Sequence, residues 1–253
     1  MGRLENGMVI SDRLFIEYHK FIGSKFEGEL LDDESKYDKK VVKSMLRYFK
    51  NNWYTNYLQY VRNNVVMPSS LKNQLLHSKS RKKSLEELAA ESAYKIILND
   101  EGKTTFPYVD IFSDDESIKN CLTATFKNGR DRSKAREHIK RLCSKASDIF
   151  IYDKYIKNQS PVILNLLKFI LPIRSINIHY VPSHFDTMIN DLESFCDKWT
   201  FVDESIMKSH SHHDRYLVID NKIEVILTSG FDHLARDIDD FTYVVREIKQ
   251  NDL

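Results

Sequence analysis

The sequence predicts an α/β protein in which a mainly helical N-terminal domain precedes a C-terminal domain built on a mixed β-sheet with flanking helices. Two observations lead to this fold class. Residues 38–63 carry apolar side chains at steps of three and four, which is the spacing of one helical face. From residue 128 onward, short strand patterns alternate with amphipathic helices, an order typical of α/β layers. The predicted domains are therefore 1–127 and 128–253.

The rest of the N-terminal half is predicted from a helix-start signal and a short extended stretch. A basic loop occupies residues 77–83 (HSKSRKK). Ser84 and Glu87 then have the spacing of a capping box, which predicts a helix through about Leu98. The stretch 105–112 (TFPYVDIF) predicts a short strand or extended segment.

The C-terminal half is predicted as an alternation of helices and strands that ends in three consecutive strands. Apolar residues at helical spacing predict helices over 132–146, 160–171 and 185–199. Apolar and alternating stretches predict strands over 147–156, 175–181, 215–220, 222–230 and 241–249. Strands that alternate with helices pair in parallel, and the three consecutive strands that follow form an antiparallel meander. The sequence therefore predicts a mixed sheet.

Composition narrows the class of protein. No apolar run approaches 18 residues, so no transmembrane helix is expected. The N-terminus lacks the basic-then-apolar layout of a secretory signal. Cys121, Cys143 and Cys196 are widely spaced and form no CxxC pair, which disfavours a disulfide scaffold and indicates a reducing, cytoplasmic location.

Positive charge is concentrated in two stretches, although the formal net charge is only +1. Residues 36–83 hold twelve Lys and Arg against one acid, and residues 127–145 hold eight against two. Such a surface binds DNA or RNA through phosphate neutralisation, and interleaved tyrosines add stacking on single strands. An anionic membrane surface is the competing polyanion. The residues predicted to bind nucleic acid are Lys43, Arg47, Lys50, Lys79, Arg81, Lys82 and Lys83.

The stretch 209–220 (SHSHHDRYLVID) is the densest cluster of chemically active residues. Its adjacent histidines lack the Cys or Glu partners of a zinc site, so no metal site is predicted. His213, Arg215 and Asp220 have the spacing H-x-R-x4-D. Residues two apart on a strand point to the same side, so His213 and Arg215 can face one phosphodiester. Arginine binds phosphate oxygens in a bidentate manner.

This spacing resembles the H-x-K-x4-D motif of the phospholipase D superfamily, with Arg in place of Lys. Residues 147–156, 175–181 and 212–234 are together similar to one subgroup, the phospholipase-D-like C-terminal domain of MIT-domain proteins and its bacterial relatives. In that subgroup an H-D-R strand is followed by a turn, a strand and a Gly/Ser turn before an aspartate. Ser229, Gly230 and Asp232 match the last part of this pattern, and the resemblance spans roughly residues 128–253.

The resemblance implies a phosphodiester pocket that needs neither metal nor cofactor. His213 would be the nucleophile or general acid–base, Arg215 the phosphate clamp, and Ser229 or Asp153 the group that orients the site, with Asp220 completing the motif. Single-motif members of the family form homodimers that bring two pockets together. By family analogy alone, the protein is expected to be a nuclease effector of a defence or toxin system, and a larger protein complex is one expected partner.

Two functions remain open from the sequence. Active members of the family use two such motifs, whereas this chain has one, and relatives with H-D-R are regarded as binding modules. The alternative is therefore a non-catalytic adaptor that recognises phosphate groups, on a lipid headgroup or a nucleic acid, or binds a protein partner. Under that interpretation Arg215 forms a salt bridge to Asp153 or Glu247.

Overall fold

The chain divides into two compact units, Met1–Asn120 and Cys121–Leu253, in a computed structural model. The structure describes residues 7–26, 36–47, 53–113, 116–118, 122–153, 155–156, 160–182, 185–204 and 215–248. Over these residues, none of the helices combines the length and apolarity needed to cross a membrane.

The first unit contains a small parallel sheet as well as helices. Its sheet has the order β1-β2-β3, and both neighbouring pairs are parallel. The elements are β1 (Val9–Ile10), α1 (Asp12–Phe26), α2 (Lys39–Arg47), α3 (Tyr57–Arg62), α4 (Ser69–His77), α5 (Leu85–Glu91), β2 (Ile97–Asn99), β3 (Tyr108–Asp110) and β4 (Glu116–Ile118).

Of this parallel sheet the sequence predicted only β3, as the short strand or extended segment over 105–112, and not β1 or β2. Val9, Ile10, Ile97 and Leu98 are all fully buried, so β1 and β2 show no alternation of apolar and polar residues. Parallel strands buried on both faces give continuous apolar runs. Runs of two or three residues are too short to be recognised in the sequence as strands.

The single helix predicted over 38–63 is wrong. α2 ends at Arg47, and Trp53 forms a β-bridge to Met8 before α3 begins at Tyr57. Asn56 has extended backbone angles and accepts a hydrogen bond from the backbone of Gln59, which makes it the N-cap of α3. Asparagine is among the strongest N-caps, so it starts a new helix while the apolar spacing continues through the break.

The capping box predicted at Ser84 and Glu87 is confirmed, because the reciprocal side-chain bonds to the backbone are both present. The helix ends at Glu91 rather than near residue 98. Ser92 Oγ donates to Ala89 O and accepts from the backbone of Lys95, whose φ is +57°. This local turn ends α5 and lets the chain enter β2.

The second unit is an α/β layer structure with a mixed sheet and flanking helices. All of the helices and strands predicted for it are present, with bounds that differ by a few residues. The elements are β5 (Leu122–Phe126), α6 (Ser133–Cys143), β6 (Asp148–Tyr152), α7 (Ser160–Ile170), β7 (Ile176–Tyr180), α8 (Asp186–Phe195), β8 (Trp199–Asp203), β9 (Arg215–Ile219), β10 (Ile223–Leu227), α9 (Phe231–Ala235) and β11 (Phe241–Glu247).

Seven strands of this unit are hydrogen-bonded in the order β5-β11-β10-β9-β6-β7-β8. β6, β7 and β8 are parallel to one another, because α7 and α8 connect them. β9, β10, β11 and β5 continue the sheet with antiparallel pairing. A sheet of this kind places the end of β6 beside the start of β9.

The core of the second unit lies between one face of the sheet and the helices. Every second residue of the central strands is buried, for example Ile149 and Ile151 in β6 and Leu217 and Ile219 in β9. α6, α8 and α9 all pack against α7. Arg215 and Asp153 fall in register with these buried residues, so they lie on the core face at the very end of their strands.

Candidate functional site

Arg215 lies where β6 ends and β10 turns toward α9, and it is the first residue of β9. Its Nη1 donates to the carbonyl of Thr228 at 3.1 Å. Its Nε lies 3.8 Å from Asp153 Oδ1, an ion-pair distance, and has no hydrogen-bond partner in the part of the chain that the structure describes. The side chain is 18% exposed. The guanidinium is therefore held in place at the end of the sheet and remains within reach of a small anion.

Asp153 is a buried carboxylate that joins two loops at this end of the sheet. The residue directly follows β6 and is 3% exposed. Its Oδ1 accepts from the backbone of Tyr155 at 2.8 Å, and its Oδ2 accepts from the backbone of Phe231 at 3.2 Å. One side chain thus fixes the turn after β6 and the start of α9 relative to Arg215.

Opposing influences act on the pKa of the Asp153 carboxyl. Burial raises the pKa of this carboxyl, and the hydrogen bonds from Tyr155 and Phe231 and the charge of Arg215 act in the opposite direction without outweighing it. A desolvated carboxyl prefers to hold its proton.

The turn between β10 and α9 is fixed by two hydroxyl groups. Thr228 Oγ1 donates to Thr242 O at 3.0 Å, and Ser229 Oγ donates to Asp240 O at 3.1 Å. Both acceptors are backbone carbonyls at or just before the start of β11. The Ser229 hydroxyl therefore holds the turn against β11, and the Thr228 carbonyl faces Arg215.

Gly230 completes this turn where the side chains of the site converge. Its φ of +97° is a conformation that residues with a Cβ rarely adopt. A Cβ built there would lie 3.0 Å from Asp153 Oδ2, 3.0 Å from Asp232 Oδ1 and 3.5 Å from Arg215 Nε. Two carboxyl groups and the guanidinium thus surround a point that only glycine leaves open.

Asp220, expected in the site, lies at the other end of β9. Asp220 lies five residue steps from Arg215 along β9, a span of about 16 Å. Its Oδ1 accepts from the backbone of Ser147 at 2.8 Å and of Asp148 at 2.9 Å, and its φ is +51°. One phosphate cannot span that distance, so the assignment of Asp220 to the pocket is corrected. Its hydrogen bonds to the backbone of Ser147 and Asp148 instead fix the chain where it enters β6.

His213, the residue expected to react, lies outside the described residues, as do His210 and His212. Its role remains an expectation from the sequence. Over the described part of the chain, no group of three or more His, Cys, Asp or Glu side chains is placed to hold a metal ion.

Arg132 was counted in the second basic stretch, but its side chain is completely buried. The guanidinium donates to three backbone carbonyls, those of His233, Arg236 and Asp239, with the Arg236 contact at 2.7 Å. It also lies over the ring of Phe241, 5.1 Å from the centroid. Arg132 therefore organises α9 and the loop before β11 and contributes nothing to a surface that meets a polyanion.

Tyr155 belongs to this site although its sequence context gives no signal for it. The Arg215 guanidinium carbon lies 4.9 Å from the centroid of its ring, and 48% of the residue is exposed. Tyr155 lies three residues beyond the end of β6, where the sequence shows no motif. Only the pairing of β6 with β9 brings this ring to Arg215.

Four of the residues predicted to bind nucleic acid lie together in the basic loop, residues 77–83. Lys79, Arg81 and Lys82 are exposed, and Lys83 is half-buried. Lys83 Nζ forms an ion pair with Glu91, which offsets part of its charge. Of the others, Lys43 is exposed on α2, whereas the Arg47 side chain and all of Lys50 lie outside the description.

The backbone of the basic loop is anchored from beneath by Asn56, which is 1% exposed. Asn56 Nδ2 donates to Ser80 O at 2.9 Å and to Lys83 O at 2.8 Å, while its Oδ1 caps α3. The backbone of Leu58 also donates to Arg81 O at 3.0 Å. The loop therefore presents its cations from a fixed backbone.

Comparison with known proteins adds a structural similarity. The solved structure of NucT from Helicobacter pylori is similar over 49% of this chain and 84% of that chain, with 12% sequence identity and a TM-score of 0.29. At this identity and TM-score the similarity does not assign the chain to a family. No family model and no curated protein matches the chain.

Proposed function

We propose that the protein binds and cleaves nucleic-acid phosphodiesters at the end of the second unit's sheet that carries Arg215. The observation that supports this most directly is the guanidinium itself, fixed by Thr228 O and Asp153 yet still 18% exposed. Within the described residues its contacts use Nη1 and Nε, which leaves Nη2 for a phosphate oxygen. Arginine held in this way binds phosphate with geometric specificity.

In this proposal the His213 imidazole attacks phosphorus, the P–O bond to the leaving sugar oxygen breaks, and that oxygen takes a proton from water. A second water then hydrolyses the phosphohistidine and restores His213, while Arg215 stabilises the charge on the non-bridging oxygens in both steps. Fixed donors aimed at developing charge are the usual source of such stabilisation. Asp153 orients Arg215, because its Oδ1 lies 3.8 Å from Arg215 Nε and is itself fixed by the backbone of Tyr155. Ser229 holds the turn whose carbonyl positions Arg215. The reaction is proposed to need no metal, and a homodimer is proposed to bring two pockets together.

The basic loop is proposed to supply sequence-independent affinity for DNA or RNA. Lys79, Arg81 and Lys82 project from an anchored backbone, so phosphate contacts there release counterions. A cytoplasmic location extends the proposal on the cysteine pattern of the sequence. A defence or toxin role, with further protein partners, extends it on the strength of the family resemblance alone.

The decisive experiment measures phosphodiesterase activity on single- and double-stranded DNA and RNA in EDTA. We expect cleavage by the wild-type protein, none by His213→Ala, and a loss of 100-fold or more, on the order of one charged contact at a transition state, for Arg215→Ala. Arg246→Ala is the matched control, because Arg246 is a β11 arginine paired with Glu224 far from the site. Its activity should equal that of the wild type.

The adaptor function is the alternative outcome of the same experiment. Absence of cleavage of every substrate, together with binding that Arg215→Ala weakens, would replace the nuclease proposal by phosphate recognition alone. Cleavage that survives His213→Ala would remove the proposed nucleophile.

A further inference from the structure

We infer that Tyr155 is a stacking platform for the nucleobase beside the bound phosphodiester, so that the site takes single-stranded rather than duplex nucleic acid. The inference rests on the proposed function, because it assumes that Arg215 holds a phosphate. It adds the substrate class and a residue that determines specificity.

The first step is the contact between the ring and the cation. The Arg215 guanidinium carbon lies 4.9 Å from the centroid of the Tyr155 ring, inside the range of a cation–π interaction. Arg215 is mostly buried, with 18% of its side chain exposed, whereas 48% of Tyr155 is exposed. The ring therefore borders the accessible part of the guanidinium and carries the larger open surface.

The second step is the fixed position of the tyrosine backbone. The Tyr155 amide donates to Asp153 Oδ1 at 2.8 Å, and the amide of the buried Ile156 donates to Asp153 O at 3.2 Å. The same Asp153 side chain faces Arg215. Because one buried carboxylate positions both groups, the ring and the cation keep their relation when a ligand arrives, and little conformational entropy is lost.

The third step is the chemistry of a ligand that uses both groups. A nucleotide carries its phosphate and its base on one sugar, so an adjacent cation and aromatic ring engage both parts together. Aromatic side chains beside phosphate-binding cations are the usual platform for single strands, because every base has a face that stacks. In a duplex the base is already stacked and paired, and reaching Tyr155 would require its extrusion. A lipid headgroup offers phosphate without an aromatic face.

The test compares oligonucleotides with and without bases, using the His213→Ala protein so that binding is measured without turnover. The probes are a single-stranded oligonucleotide, an abasic strand of the same length, the matching duplex, and vesicles of phosphatidylcholine with phosphatidylserine. We expect the single strand to bind about 5- to 150-fold more tightly than the abasic strand. Tyr155→Leu should abolish that preference, and Tyr155→Phe should keep it.

Phe195→Leu is the matched control. Phe195 is 42% exposed and lies under Lys168, whose Nζ is 5.3 Å from the ring centroid. The Phe195–Lys168 pair is an exposed aromatic ring beside a cation, like the Tyr155–Arg215 pair, and Phe195 is the last residue of α8 in the same unit. We expect Phe195→Leu to bind the single-stranded and abasic probes as the His213→Ala parent does.

The outcomes separate the two proposals. If the single strand and the abasic strand bind equally, and Tyr155→Leu changes neither while Arg215→Ala weakens both, stacking is overturned and the phosphate pocket stands. If Arg215→Ala weakens neither strand, the proposed function itself fails. Tighter binding to the anionic vesicles than to the single strand would assign the site to a membrane surface and overturn the inference.

Discussion

Replacement of Arg132 by methionine should loosen α9 and the loop before β11 without touching any ligand. Arg132 is completely buried and donates to the carbonyls of His233, Arg236 and Asp239. Methionine fills much of the same volume but has no donor, so three backbone acceptors lose their partner. The loop they belong to includes Asp240, whose carbonyl accepts the Ser229 hydroxyl.

The size of the effect follows from these contacts. A hydrogen bond from a charged donor contributes about 1.5–3 kcal/mol, and three of them would total about 4.5–9 kcal/mol. Removing the arginine also relieves the cost of keeping a charge out of water, which offsets part of this sum. We therefore expect the local free energy of opening to fall by about 4 kcal/mol, which corresponds to roughly 10³-fold faster amide exchange.

Hydrogen exchange of individual amides is the assay. The amide of Gly129 donates to Asp237 O at 2.9 Å, and that of Asp239 donates to Asn128 Oδ1 at 2.8 Å. Both amides report on the loop and should exchange roughly 10³-fold faster in Arg132→Met. Arg246→Met, at the other end of the sheet, should leave both unchanged.

A change of less than about tenfold at these amides, equal to that of the Arg246→Met control, would refute the reasoning. It would mean that the three carbonyls find other donors, or that the loop is held by its remaining contacts. The same variant should also weaken phosphate binding, since the turn that positions Arg215 is attached to this loop.

Three further perturbations test other parts of the structure. Gly230→Ala places a Cβ 3.0 Å from Asp153 Oδ2 at a φ of +97°, so chemical unfolding should show a loss of about 1–3 kcal/mol; unchanged stability would contradict the close approach. Asn56→Ala removes a helix cap and both bonds to the basic loop, whereas Asn56→Asp keeps the cap but, lacking an amide donor, also loses both bonds. Both variants should therefore make that loop cleave faster than in the wild type in limited proteolysis; a wild-type cleavage rate in Asn56→Asp would count against the anchor. Burial lowers the pKa of His19, so the first unit should lose stability as the pH falls from about 6.5 toward the lowered value, where the unfolded chain binds the proton first. Hydrogen exchange measured at several pH values should show this fall in the stability of the first unit, and the fall should be absent in His19→Phe. If His19→Phe loses stability with pH as the wild type does, other groups cause the fall.

Periodicity predicted the second unit well because its elements bury one face each. β6, β9, β10 and β11 alternate between buried and half-buried residues, and that pattern is visible in the letters. β8 was missed because only Trp199 of its five residues is buried, at the edge of the sheet. β1 and β2 of the first unit were missed for the opposite reason, since both are buried throughout and very short, whereas β3 lies within the extended segment predicted over 105–112.

For the candidate site, the sequence predicted the groups that lie near Arg215 along neighbouring strands, namely Asp153 and the turn at Ser229. It misplaced Asp220, because a motif gives spacing along the chain and a strand converts five residues into about 16 Å. It could not identify Tyr155 or the buried role of Arg132. Both depend on contacts between residues far apart in sequence. The sequence of a basic stretch does not show whether a given arginine is exposed to water or buried against backbone carbonyls.

The anchoring of the basic loop by Asn56 separates the shape of that surface from its charge. The bonds from Asn56 go to the carbonyls of Ser80 and Lys83, so they hold the path of the loop without using the side chains of its cations. Lys79, Arg81 and Lys82 can therefore be exchanged one at a time for neutral residues while the backbone stays the same. For such a series, the slope of the logarithm of the binding constant against the logarithm of the salt concentration would give the number of counterions released by each cation, with the backbone unchanged. The number of positive charges on the loop can thus be varied independently of its backbone geometry.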